Sequence, residues 1–168
     1  MAYQDHFKLA DDLIAHLNGL ISNVIDPFIA SRYAGLIAVT GTTVYELAIK
    51  DILISFSERK HRLFGRFVGK HYERLNGRIK TRDLKENHIL RFGDRYLKRF
   101  KNVMETAEKD SLRRNRISIL SSYNNVIEWR HQFAHEGNIP TTATYPEVVR
   151  AFEAGKEVIH CLYKAMQR

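Results

Sequence analysis

Cysteine is almost missing from this chain: Cys161 is the only one in 168 residues. That excludes an intramolecular disulfide framework and cysteine-rich zinc modules. Proline and glycine are also scarce, at three and nine. So little turn punctuation favours long helices over many short strands. No apolar run reaches the roughly 18 to 20 residues of a membrane span. The opening MAYQDHFKLADD lacks the pattern of a secretion signal. These absences predict a soluble, cytoplasmic protein, and the length predicts one domain over 1–168 with its own core.

What the chain has in excess is positive charge, +8 overall. It is concentrated: between Glu58 and Arg116 there are 19 lysines and arginines against 8 acidic residues. Such a stripe predicts attraction to a polyanion, most naturally a nucleic acid held through its phosphates. The alternative is a solvated helical surface. Arg91, Arg95, Lys98, Arg99 and Lys101 form the densest part and are the candidate RNA-tracking surface.

The spacing of apolar residues is helical throughout. A first helix is expected from about Asp5 to Ile25, broken at Asp26-Pro27. The next segment is apolar almost all round from Leu36 to Phe56, as in a central helix. A basic amphipathic piece runs from His61 to Leu75 and ends at Asn76-Gly77. Residues 81–109 read as one or two helices, with Gly93 as the point of division. Asp110 or Ser111 is the expected N-cap of the following helix, which Gly137, Asn138 and Pro140 end. A last helix runs from about Pro146 to Met166. The expected fold is all-α, a bundle of about five to six helices.

The segment IEWRHQFAHEG, Ile127 to Gly137, breaks the pattern. Ile117, Ile119, Leu120, Tyr123, Val126 and Ile127 form an apolar arc that predicts apolar side chains near 130, 131, 133 and 134. Phe133 and Ala134 comply, whereas Arg130 and His131 do not, and His135 follows His131 by one turn. Polar groups on a core-facing arc are costly unless paired. Three readings compete. Arg130 pairs with a carboxylate such as Glu46 or Glu128, and the histidines are satisfied interior groups. Alternatively, His131 and His135 hold a metal at i, i+4, although Gln132 stands where zinc proteases carry glutamate and no third ligand is evident.

The third reading is cleavage of RNA without a metal. The 2′-hydroxyl is already a nucleophile, so the protein supplies only proton transfer and charge stabilisation. Histidine suits the first and the arginine fork suits the second. On one helix Arg130 and His135 point about 140° apart. A symmetric dimer, bringing the same helix end from a second subunit, solves that geometry.

Arg130-His131-Gln132-Phe133-Ala134-His135 resembles the signature of the HEPN superfamily of helical ribonucleases: arginine, four to six residues, then histidine. GTTVYELAIKDIL resembles the earlier family helix carrying an acidic residue, here Glu46. ILRFGDRYLKRF is similar to the segment preceding the motif helix in the RiboL-PSP-HEPN branch. The resemblance implies a metal-independent endoribonuclease, without cofactor, that dimerises near the motif helix and leaves a cyclic phosphate and a 5′-hydroxyl. Arg130 would bind the scissile phosphate and His135 would be general base or acid. His131 would assist, and Glu46 would orient Arg130 or His135 unless it merely pairs with Lys50. It also implies an RNA substrate, tRNA or mRNA, and a role in toxin–antitoxin or anti-phage defence with a separate antitoxin or regulator. Asn124, on the stripe of His131, and Trp129, which can stack a base, are further RNA-binding candidates. The other class of function is a non-catalytic RNA-binding or adaptor subunit.

Overall fold

The computed structural model describes residues 2–73, 75, 78–137 and 143–167, and among these there is no strand. The elements are α1 (Ala2–Asp5), α2 (Lys8–Ile21), α3 (Pro27–Lys60), α4 (Arg62–Tyr72) and α5 (Thr81–Asp83). A π turn (Leu84–His88) and a 3-10 turn (Ile89–Phe92) follow, then α6 (Asp94–Asn115), α7 (Ile119–Glu136) and α8 (Tyr145–Met166). The all-α bundle expected from periodicity is the fold observed.

The spine is α3, whose 34 residues extend about 50 Å at 1.5 Å each. Asp26-Pro27 does not merely interrupt a helix; it starts this one. Asp26 accepts from the Phe28 N–H at 2.8 Å and Pro27 takes the first helical position, where a missing N–H costs nothing. Along α3, α8 runs parallel: Tyr45 donates to the Phe152 carbonyl at 2.6 Å, and Arg59 to that of Met166 at 3.4 Å. Helices α6 and α7 run the other way, one after the other. Phe56, near the C-terminal end of α3, packs on Phe92 and Tyr96. Tyr45 stacks on Tyr123 of α7, with ring centroids 5.0 Å apart. The N-terminal helices close the remaining side, with Phe7 edge-on to Tyr45 and Tyr3 bonded to Nδ1 of His160 at 2.9 Å.

Two local expectations are corrected. Asp110 and Ser111 lie inside α6, and no helix starts there. The break comes at Arg116, in the left-handed region at φ 56°. Ser118 is the N-cap of α7, accepting from the Ser121 N–H at 3.0 Å. The first helix is also two pieces, α1 and α2, ending at Ile21 rather than Ile25. Gly93 (φ 113°) does divide the 81–109 segment, but its first part is π and 3-10 turns. Asn76-Gly77, Asn138 and Pro140 lie outside the described residues. Among the described residues, no helix is long and apolar enough to cross a membrane.

Candidate functional site at the end of α7

The first half of α7 is locked into the core. Tyr123 is fully buried and donates to the Ile79 carbonyl at 2.6 Å, and Val126 and Ile127 are buried beside it. From Glu128 onward the cover thins. Glu128, Trp129, Arg130 and Phe133 are half-buried, while His131, Ala134 and His135 are exposed. This overturns the reading of Ala134 and the histidines as interior groups. Past Ile127 the contacts that hold α7 are those of single side chains, Trp129 beside the start of α8 and Phe133 on α3.

Phe133 is the anchor there. It packs on Gly35 of α3 so closely that any Cβ at that position would run into its ring. Gly137 ends the helix in the left-handed region at φ 69°, its N–H returning to the Phe133 carbonyl at 3.0 Å, an αL stop that favours glycine. Arg32 donates to the Gly137 carbonyl, and its guanidinium lies 4.6 Å from the Phe28 ring centroid and 5.8 Å from that of Phe133. Arg32 thus cross-links the two helices at the motif, a role that no spacing in the sequence marks.

On this held but exposed end, the rings of His131 and His135 lie 4.4 Å apart, centroid to centroid. Neither makes a hydrogen bond with a described residue. The half-buried Arg130 precedes them on the same helix. Regular α-helix through Glu136 keeps Arg130 and His135 about 140° apart.

The carboxylates take separate places. Glu128 is held by Lys80 at 2.6 Å. That bond, chiefly, keeps its carboxyl below the usual range, with contributions from His131 and Gln132. Glu46 is half-buried on α3 at the level of Tyr123, whose hydroxyl it helps to hold protonated. Seven residues separate that level from Arg130, about 10 Å along α7.

Two of the RNA-binding candidates on α7 have structural positions. The Asn124 amide oxygen accepts from the Thr81 N–H at 3.1 Å and from its hydroxyl at 3.3 Å, and its nitrogen donates to Leu120 O at 2.9 Å. It splices the 78–81 segment to α7, and its hydrogen-bonding capacity is occupied. Trp129 packs half-buried against the core, beside a shallow cavity of ≈ 270 Å³ with Ser122, Asn125 and Arg150.

The basic stripe is not beside the motif in the same chain. Arg91, Arg95, Lys98 and Lys101 are exposed and Arg99 is half-buried. The stripe begins where Phe92 and Tyr96 meet Phe56, whereas the motif end meets Gly35. Twenty-one residues of α3 separate these levels, about 30 Å. The basic side chains from distant sequence that reach this end of α7 are Arg32, bonded at Gly137, and Lys80, through Glu128. As for a metal, no group of three His, Cys, Asp or Glu side chains able to hold one exists among the described residues.

An all-helical bundle whose penultimate helix ends in an exposed arginine–histidine cluster has the arrangement expected of HEPN domains. The family model RiboL-PSP-HEPN matches residues 4–168, and the chain belongs to that family. No curated protein and no solved structure matches the chain. HEPN domains are often ribonucleases, which connects the fold to RNA.

Proposed function

We propose that this protein is an endoribonuclease that needs no metal, acting at a cleft completed by a second copy of the chain. The observation that carries the reading is the pair of exposed imidazoles, hydrogen-bonded to no described residue, beside Arg130 on a helix end that Phe133 and Arg32 fix to the spine. One imidazole accepts the proton of the RNA 2′-hydroxyl, whose oxygen attacks the adjacent phosphorus. The other, protonated, gives its proton to the departing 5′-oxygen, leaving a 2′,3′-cyclic phosphate and a 5′-hydroxyl. Arg130 offers its fork to the phosphate oxygens as charge builds. His135 is assigned the principal acid–base role and His131 the assisting one, with Glu46 a positioning residue through α3.

A second copy supplies the group that one helix cannot aim. Ile29, Leu36 and Leu47 are exposed on α3, at 42%, 44% and 38%. With Thr43 they follow spacings of seven, seven and four, a seam suited to a symmetric contact. The substrate is RNA, tRNA or mRNA, in the cytoplasm, and the setting is toxin–antitoxin or anti-phage defence under a separate regulator.

The test is incubation of purified protein with total RNA and with tRNA in excess EDTA, beside the Arg130→Ala/His135→Ala variant. Cleavage by the wild type alone, with cyclic-phosphate ends, is the expected result. Equal cleavage by both proteins sinks the assignment. RNA binding without cleavage puts the adaptor reading first.

A further inference from the structure

A second arginine–histidine cluster lies apart from the motif. Between α4 and the π turn is a cavity of ≈ 520 Å³ lined by His71, Tyr72, Leu75, Arg78, Asn87, His88 and Arg91. Among the described residues no carboxylate lines it, although Asp83 accepts from the Asn87 amide at 3.1 Å. The volume is within the range of small-molecule sites, about 300 to 1,000 Å³, and the lining repels cations. We propose that this cavity binds a phosphate ester, with Arg78 and Arg91 taking the phosphate and Tyr72, Asn87 and the imidazole edges facing the attached nucleoside.

The side chains are set for binding rather than proton transfer. Arg91 donates to Nε2 of His71 at 2.6 Å, which makes His71 a neutral acceptor and fixes one edge of the guanidinium while leaving the other free. His88 is 6% exposed and its Nε2 meets the Arg78 carbonyl at 2.8 Å. Nε2 is therefore the protonated nitrogen, and Nδ1 is a buried acceptor without a partner. Buried polar atoms are rarely left so, and each calls for an explanation. A donor hydroxyl from a bound nucleoside is one that this wall would accept. Burial, above all, favours the neutral form of His88. The wider turn that brings Asn87 and His88 to the wall is π-helical, a rare geometry concentrated at functional sites.

The cavity also leads toward the motif. Next to Arg78, the Ile79 carbonyl accepts from Tyr123, and Lys80 pairs with Glu128 one turn before His131. Arg78 and Lys80 thus mark a path along the Glu128–His131 face of α7, whereas Arg130 projects about 200° round the helix from Glu128. The phosphate ester is either part of an RNA strand on that path or a free nucleotide. Both use the same chemistry, and neither requires that the chain cleave RNA.

The experiment compares the wild type, Arg78→Ala/Arg91→Ala, Arg78→Lys/Arg91→Lys and Arg130→Ala/His135→Ala. Probes are a 2′-O-methyl 12-mer, which cannot be cleaved, read by anisotropy, and 5′-AMP, read by calorimetry. The alanine pair is expected to weaken the 12-mer about tenfold or more. It should also cut the slope of log K against log salt by about 1.4, two single-strand phosphates. The lysine pair should keep most of that slope. Sub-millimolar 5′-AMP binding lost in the alanine pair identifies a free-nucleotide site; loss of the 12-mer alone identifies an RNA phosphate. Unchanged 12-mer binding and slope, with no arginine-dependent 5′-AMP binding, overturns the proposal. That outcome beside Arg130- and His135-dependent cleavage leaves the ribonuclease intact, whereas arginine-dependent binding without cleavage leaves only this site.

Discussion

The chain uses the same two residue types in opposite ways at its two arginine–histidine clusters. At the end of α7 the imidazoles are exposed and bonded to no described residue. In the α4 cavity one imidazole is buried against a backbone carbonyl and the other is bonded to an arginine. A proton-transfer group must change protonation state and bonding partner within a turnover, so it is best left uncommitted. A binding wall needs fixed tautomers. Commitment, not residue type, separates the two roles proposed for them.

The largest expected effect breaks this contrast if it fails. His135→Ala should lower RNA cleavage by about 10²- to 10⁴-fold, and Arg130→Ala by about 10²- to 10³-fold. Because His135 is exposed, the stability of that variant should stay within about 0.5 kcal/mol of wild type, as for ordinary surface changes. A large drop in thermal stability would make His135 a structural group and erase the distinction. His88→Ala should do the reverse, costing about 1–3 kcal/mol because the Arg78 carbonyl loses its donor in a buried wall. Urea denaturation reads that directly, and a neutral result would remove His88 from the wall.

Gly35→Ala sharpens the comparison from the spine. The methyl has no room against Phe133, so overpacking should cost about 1–3 kcal/mol. The displaced end of α7 should also lose cleavage activity. A variant of full activity would show that the last turns of α7 need no fixed seat on α3.

These features were unequally legible in the sequence. Helix α8 was readable in full, since Pro146 and the Val148 to Leu162 periodicity are local signals. The Arg130–His135 motif was readable by type and spacing. Its exposure was not, because periodicity along α7 carries no record of where neighbouring helices stop. The α6–α7 boundary was misplaced for a related reason. Asp110 and Ser111 are good N-cap types, but the break is set by an arginine, Arg116, in a conformation usually left to glycine. The separation of basic stripe and motif depends on tertiary packing, since α6 starts against Phe56 of α3 and then lies on α8, whereas the end of α7 sits on Gly35. The second cluster was invisible, because His71, Arg78, His88 and Arg91 meet around an irregular turn that has no period.

Acid should weaken the fold through its committed histidines. Burial lowers the pKa of His88 and of His160, which is bonded to Tyr3. The folded state therefore binds fewer protons than the unfolded chain, and stability rises with pH in that window. The stabilisation is complete above the unfolded value of about 6.5 and declines as pH falls from there toward the lowered folded values. Thermal melts from pH 7.5 to 5 should show a falling midpoint, with His160→Asn reducing the slope. An unchanged slope would mean that His160 is neutral for reasons unrelated to folding.

The smallest effect lies between the two clusters. Among the described residues Lys80–Glu128 is the ion pair that ties the 78–81 segment to α7, and it is nearly half exposed on both sides, at 47% and 44%. Exposed pairs contribute about 0.2–1 kcal/mol, so Lys80→Ala should barely move the urea midpoint. Its consequence is electrostatic. Without Lys80 the Glu128 carboxyl should titrate closer to its ordinary value, an upward shift readable by NMR, and its anionic charge would no longer be neutralised one turn from His131. A Glu128 carboxyl that does not move would mean that Lys80 does not hold it in solution and that the pair seen in the structure is no tether.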